Sequence, residues 1–419
     1  MLDRKSPPHF QKSNSFPLIS PETVLLPNGL RITLVPGGEQ EVVKVEFIFK
    51  AGKWHESQAG ISYFTAQLLS KGTSTKTSFQ ISNELDQYGV HLEVNPGYDF
   101  TSVTLFGVTK NMDRFVDLLH ELITEPSFPE TEVEQAKGIY IQGLKINLEK
   151  TSYLASRELR KSLFGEDHPY GRDAGVADIE KIQREPLQQF HREYFRDFEI
   201  ILSGKNSESL TKTLCRKFEA FAIHKKKLQA FDQKETIQQS IYLEKENTVQ
   251  TSIRLGKRSI SRIHPHYPAL LLLNHTFGGF FGSRLMKNIR EEKGLTYGIY
   301  SSLAVLKHDS YLSIGADVNK ENRELTIREI KNELKKLQTD LIGREEFDTA
   351  KNHFIGSLQA EITTPFAHAD KIKNIMLYAL PGNYYSSLIQ KIDSLNEKEV
   401  QEVAQKYFDE ESFSVVAVG

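Results

Sequence analysis

The stretch GISYFTAQLLSKGT, Gly60 to Thr73, reads as a short amphipathic helix between two glycines. On such a helix Tyr63, Ala66 and Gln67 stand at i, i+3 and i+4, so their side chains share one face and converge on a common point. That is the spacing of a metal site, filled with residues that are not metal ligands.

Working outward from this helix, the chain alternates strand and helix patterns in an order that occurs twice. Ahead of it, VLLPNGLRITLV and VVKVEFIFKAG are strand patterns, the first containing a Pro-Asn-Gly turn. Behind it come a helix at SFQISNELDQYG, strands at VHLEVNPGYDF and TSVTLFGVT, and helices at NMDRFVDLLHELI and ETEVEQAKGIYIQGLKINLEK. HREYFRDFEIILSG closes this half. The second half repeats the series: a strand at QTSIRLGKRSI, helices at YPALLLLNHTF and SRLMKNIREEKG, strands at LTYGIYSSLAV and SYLSIGADV, long helices, and a closing YFDEESFSVVAVG. Gly89 and Gly294 are 205 residues apart, Ala136-Lys137 and Ala350-Lys351 are 214 apart, and Tyr194-Phe195 and Tyr407-Phe408 are 213 apart. Such offsets indicate an internal duplication of roughly 210 residues.

The expected fold class is therefore α+β: two homologous domains, each a mainly antiparallel sheet with helices packed on one face, facing each other across a cleft. The domains are expected at residues 1–222 and 237–419. The polar, lysine-rich residues 223–236 form the linker, and Lys225-Lys226-Lys227 is a solvated run within it.

Composition narrows the function classes. The chain has 419 residues, 39% hydrophobic and 26% charged, and its 53 Lys+Arg and 55 Asp+Glu nearly cancel. A net charge of −2 gives no global field to recruit nucleic acid or an anionic membrane. No window approaches 18 apolar residues, and the first 20 residues lack the apolar core of a signal peptide. Cys215, the single cysteine, cannot form an internal disulfide, which fits a reducing compartment. The expectation is a soluble, cytoplasmic protein.

From about Val24 to Gly419 the chain resembles the pitrilysin/insulinase-like zinc peptidases, in the mitochondrial-processing-peptidase-like branch of short chains. The resemblance rests on AGKWHES, on GISYFTAQLLSKGT, on HPYGR at 168–172, and on GGFFGSRLMKNIREEKGLTYGIYS in the second half. It implies that an inverted zinc motif, H-x-x-E-H, belongs on the first helix, with a glutamate about 76 residues later as third ligand. Here the two histidines are replaced by Tyr63 and Gln67, the general base by Ala66 and the late glutamate by Gly143. All four have lost the necessary chemistry, so no metal is expected in this chain. The resemblance also implies that Arg290 and Tyr297, seven residues apart as the family has them, support substrate and transition state.

Taken together, these residues imply a non-metal subunit of a heterodimeric zinc endopeptidase. The zinc would be held by a homologous partner of similar size with an intact motif, and the substrates would be peptides or unfolded segments pairing with a sheet edge. A self-associating peptide-binding or scaffold protein, including a homodimer, is the alternative; a metal-independent hydrolase is a third. Other candidates read as structural. These are His55-Glu56 in a polar loop, His168 in a turn packed by Tyr170, His264 and His266 before a buried helix, an inert Cys215, and Gly278, Gly279 and Gly282 shaping a turn.

Overall fold

The computed structural model describes residues 16–224, 231 and 238–419, so the expected linker and its lysine run lie almost wholly outside the described residues. Eleven strands among these residues form two sheets. The first contains β1 (Glu22–Leu25), β2 (Arg31–Pro36), β3 (Val42–Phe49), β4 (His91–Pro96), β5 (Thr101–Val108) and β6 (Phe198–Gly204), in the order β1-β2-β6-β3-β5-β4. The second contains β7 (Ser240–Leu243), β8 (Gln250–Arg258), β9 (Thr296–Val305), β10 (Ser310–Asn319) and β11 (Ser414–Val418), in the order β7-β11-β8-β10-β9.

Apart from β1 at its rim, the first sheet has the same path as the second. Each has one parallel pairing, β2 with β6 and β7 with β11, at the same place, and every other pairing is antiparallel. The α+β class and the two sheet-and-helix halves follow the expectation.

The structure adds an exchange of helices. β3 and β11 are almost continuously buried, β3 with Lys44 and Glu46 among apolar residues, the pattern of strands covered on both faces. The cover on the second face comes from the other half. Helix Thr151–Phe164 lies on β8 and β11, where Ala155, Leu159 and Leu163 pack with Val416 and Val418. Helix Pro365–Leu377 lies on β2 and β6, where Ala369 and Ile372 pack with Val35, Ile48 and Ile201. The approach is close: a Cβ on Gly256 of β8 would stand 2.9 Å from Leu159 Cδ2. A cavity of about 510 Å³ opens between the halves, lined by Asp99, Phe100 and Tyr194 from one and Lys307, His308 and Met376 from the other.

The HPYGR segment locks the same junction. Tyr170 is fully buried, its hydroxyl donates to Asp99 Oδ1 at 2.5 Å, and it accepts from the His308 backbone N–H at 3.2 Å. Asp99 Oδ2 accepts from the Lys307 backbone N–H at 2.9 Å, so one carboxylate and one phenol tie the β9–β10 hairpin of the second half to the first. His168 closes the turn before Tyr170, as expected: its carbonyl accepts from the N–H groups of Gly171 and Arg172.

Candidate functional site

Helix Ile61–Leu68 forms where the sequence places it, and its start is fixed by two features. Gly60 adopts φ +96°, which a side chain disfavours, and a Cβ there would also meet Ile179 Cδ1 at 2.9 Å. Glu56, only 5% exposed, is not the ordinary polar loop residue expected. Its Oε2 accepts from Gly60 N–H at 3.1 Å, Ser62 N–H at 3.3 Å and Ser62 Oγ at 2.9 Å, which places a carboxylate on the positive end of the helix. Arg172 donates to the Glu56 carbonyl at 3.0 Å and stands 3.4 Å from Oε1. His55 stacks on Tyr194.

The four positions at which the family would hold its metal now have a geometry. Tyr63 packs its ring on Tyr140, with centroids 4.9 Å apart, and Tyr140 belongs to helix Glu130–Leu148, the same helix that bears Gly143. Ala66 is completely buried in the core of the first half. Gln67 turns its amide to the sheet, where Nε2 donates to the Val94 carbonyl of β4 at 3.3 Å. A Cβ on Gly143 would meet nothing within 4 Å.

This donor set does not fit zinc. Burial pushes the Tyr63 phenol above its usual value and the Tyr140 phenol up to about 12, so both remain neutral O–H groups at neutral pH. Ala66 and Gly143 offer no donor, and Gln67, whose Nε2 is held by β4, offers only a weak neutral amide oxygen. Among the described residues no group of three or more His, Cys, Asp and Glu is placed to hold a metal ion.

Beside Tyr63 is a pocket of about 210 Å³, lined by Lys53, Tyr63, Tyr98 and Tyr140, by the carboxylates of Glu56 and Asp173, and by Pro96 and Gly97 at the end of β4. Lys53 Nζ donates to Asp173 Oδ1 at 3.0 Å and to the Arg172 carbonyl, and lies 5.4 Å from the centre of the Tyr98 ring. Sequence reading missed Lys53, Tyr98, Tyr140 and Asp173 as site residues. They are spread from 53 to 173 along the chain, and no local pattern joins them.

In the second half Arg290 lies in a π-helical segment, Met286–Glu292, where an ordinary helix was expected, and its guanidinium stands 4.7 Å from the centre of the Phe281 ring. Tyr297 is the second residue of β9, which pairs with β10 alone and so forms a sheet edge. At this point the ladder slips: Thr296 faces Val318 and Ile299 faces Ala316, leaving Tyr297 and Gly298 opposite Asp317 alone. Such a bulge bends an edge and re-aims a side chain. Tyr297 is 94% exposed. Among the described residues no hydrogen bond joins it to Arg290.

The remaining candidates are built into the structure. His266 Nδ1 lies 2.9 Å from the Tyr407 hydroxyl, and His264 packs edge-on against His266. Cys215 is half-buried with its thiol pushed up by burial, the opposite of an activated nucleophile. Gly278 passes so close to β9 that a Cβ would stand 2.7 Å from the Ser301 backbone nitrogen.

Comparison with known proteins agrees with this layout. Residues 34–168 match the model of the insulinase family (peptidase family M16), and residues 181–354 match that of the peptidase M16 inactive domain. The chain is 23% identical over 390 residues to the uncharacterized zinc protease YmxG of Bacillus subtilis, covering 92% of this chain and 95% of that one. It is 23% identical over 381 residues to the non-peptidase homolog YmxG of Helicobacter pylori, covering 86% and 85%. A crystal structure of the peptidase M16 inactive domain from Pseudomonas fluorescens superposes with a TM-score of 0.87 at 24% identity, covering 95% and 98%. The two family models together span most of the sequence; the chain belongs to the insulinase (M16) peptidase family.

Proposed function

We propose that this chain is the non-metal, substrate-binding subunit of a heterodimeric zinc endopeptidase acting on peptides or unfolded segments. The observation that carries this reading is an asymmetry. The metal positions hold a stacked tyrosine, a core alanine, a committed amide and a glycine, whereas Tyr297 projects almost fully exposed from a bulged sheet edge. Its position on a bulged edge strand leaves Tyr297 free to meet a ligand or partner.

In this reading Tyr297 donates its phenol O–H to charge developing on the attacked peptide carbonyl, and Arg290 supplies a guanidinium nearby. The zinc belongs to a homologous partner of similar size with an intact H-x-x-E-H motif. Edge strands β4 and β9 carry unpaired backbone groups to which an extended substrate can add. The Helicobacter pylori relative named a non-peptidase homolog is in keeping with a chain that does not hydrolyse peptides alone. Among the described residues no helix is long and apolar enough to cross a membrane. The single cysteine, which fits a reducing compartment, supports a cytoplasmic complex.

The test is reconstitution. The purified chain alone should show little endopeptidase activity, and activity should appear on mixing with an intact-motif homologue from the same genome. If no such homologue forms a complex or changes activity, a self-associating peptide-binding or scaffold role replaces this one.

A further inference from the structure

The pocket beside Tyr63 has more hydrogen-bond donors than its surroundings can use. An ammonium group carries three N–H donors, and Lys53 uses two, on Asp173 and on the Arg172 carbonyl. The hydroxyls of Tyr63, Tyr98 and Tyr140 have no hydrogen-bond partner among the described residues. Behind the wall, the buried Nε atoms of Arg160 and Arg172 also lack acceptors.

The acceptors nearby are already engaged. Glu56 Oε2 takes three hydrogen bonds at the helix start, and Asp173 takes Lys53 at 3.0 Å and Arg160 at 2.7 Å, with Arg157 at 3.9 Å. Four cationic side chains, Lys53, Arg157, Arg160 and Arg172, thus surround two carboxylates, Glu56 and Asp173. Counted together, this cluster has two more positive than negative side chains.

We infer that this pocket binds a carboxylate of a peptide, either a C-terminal carboxylate or an acidic side chain. A carboxylate only accepts hydrogen bonds, so it complements one spare ammonium N–H and three phenol hydroxyls. The pocket is lined by one lysine, by none of the three arginines, and by Glu56 and Asp173, whose carboxylates are paired with Lys53, Arg157, Arg160 and Arg172; one spare ammonium N–H fits a singly charged carboxylate better than a phosphate. A cavity of ~150 Å³ holds a benzene molecule, so about 210 Å³ admits one side chain or chain end and nothing larger. The ligand is a peptide because the floor, Pro96 and Gly97, continues edge strand β4; an extended segment added to β4 runs directly into the pocket. This inference rests on the peptide-binding part of the proposed function and not on the zinc-bearing partner.

The isolated chain is titrated calorimetrically with three peptides: acetyl-valyl-threonyl-valyl-alanyl-valine, its C-terminal amide, and that amide with glutamate in place of the central valine. The free acid, the glutamate peptide or both should bind roughly 10–100-fold more tightly than the plain amide, the range of a charge-assisted hydrogen bond. Which of the two gains identifies the source of the carboxylate. Lys53→Met should abolish the difference. Because Lys53 also pairs with Asp173, Tyr140→Phe is measured beside it; that change keeps the ring packing and should reduce the same difference several-fold. Equal binding of all three peptides removes the carboxylate site and leaves peptide binding intact. No binding of any of them at millimolar concentration overturns the inference even if the reconstituted complex is active, as does unchanged discrimination in both variants.

Discussion

Lys137 in the first half and Lys351 in the second are both buried on a long helix, and both donate into the turn that precedes an equivalent helix, Arg184–Tyr194 or Glu397–Tyr407. Lys137 Nζ reaches the Ile182 carbonyl at 3.1 Å, and Lys351 Nζ reaches the Leu395 carbonyl at 3.0 Å. Gly89 and Gly294 end equivalent helical segments at φ +60° and +62°. Phe195 and Phe408 are both fully buried one residue past equivalent helices. Yet the helix that opens each half differs: Ile61–Leu68 carries Tyr63 to a pocket, whereas Tyr267–Asn274 is buried almost throughout. The exposed tyrosine on the bulged edge belongs to the second half. The repeated features are those that satisfy buried backbone groups or permit a left-handed turn, where few residue types work. The differing ones face a cavity or solvent, where a ligand rather than the core sets the choice.

The sharpest way to break this comparison is kinetic. In a reconstituted complex Tyr297→Phe should lower kcat roughly 10²–10³-fold, with a smaller change in KM and no change in melting temperature, because the hydroxyl packs against nothing. Normal kinetics with the complex intact on size-exclusion chromatography would reduce Tyr297 to a structural residue.

Acid separates the halves next. His191 is buried, with Nε2 2.9 Å from the Ile123 carbonyl, and burial holds its imidazole down to about 4; the equivalent position, 213 residues on, is Ala404. The folded state therefore resists protonation while the unfolded chain titrates near 6.5. Stability is full above that value and falls as pH drops towards 4, by up to about 3 kcal/mol. His275 is held near 4 as well, by burial and by His353, but it is less enclosed and contributes less. Urea unfolding at pH 7 and 4.5 should show a loss that His191→Gln diminishes; an equal loss in that variant would place the acid sensitivity elsewhere.

Replacing each repeated lysine tests whether they are equivalent. Lys351→Met leaves the Asp393 and Leu395 carbonyls without this donor, and Lys137→Met leaves that of Ile182. Costs of about 1–3 kcal/mol per stranded group follow, so the second-half variant should be the less stable of the two. The smallest effects belong to Gly89→Ala and Gly294→Ala. A Cβ meets nothing at either position, and only the left-handed backbone resists it, at about 1–2 kcal/mol each. Unequal costs for this pair would show that the turns are less alike than their angles.

Much was legible in the sequence because it is governed by local rules. The strand and helix patterns and the duplication marked by Gly89/Gly294 and by the Ala-Lys pair depend on residue type and spacing, whereas the replacements at Tyr63, Ala66, Gln67 and Gly143 were legible only through the family resemblance. The exchange of helices Thr151–Phe164 and Pro365–Leu377 was not legible, since an apolar stripe does not say which sheet it covers. Nor was the burial of Glu56, which becomes a helix cap only once Ser62 and Arg172 enclose it. The bulge at Tyr297 arises from the register of β9 against β10, and the donor-rich pocket from Lys53, Tyr98, Tyr140 and Asp173 meeting across as many as 120 residues. Sequence by itself determined the elements and their repetition. Register, enclosure and the meeting of distant side chains came only with tertiary packing, because each depends on the surface presented by a partner element and not on the segment's own residues.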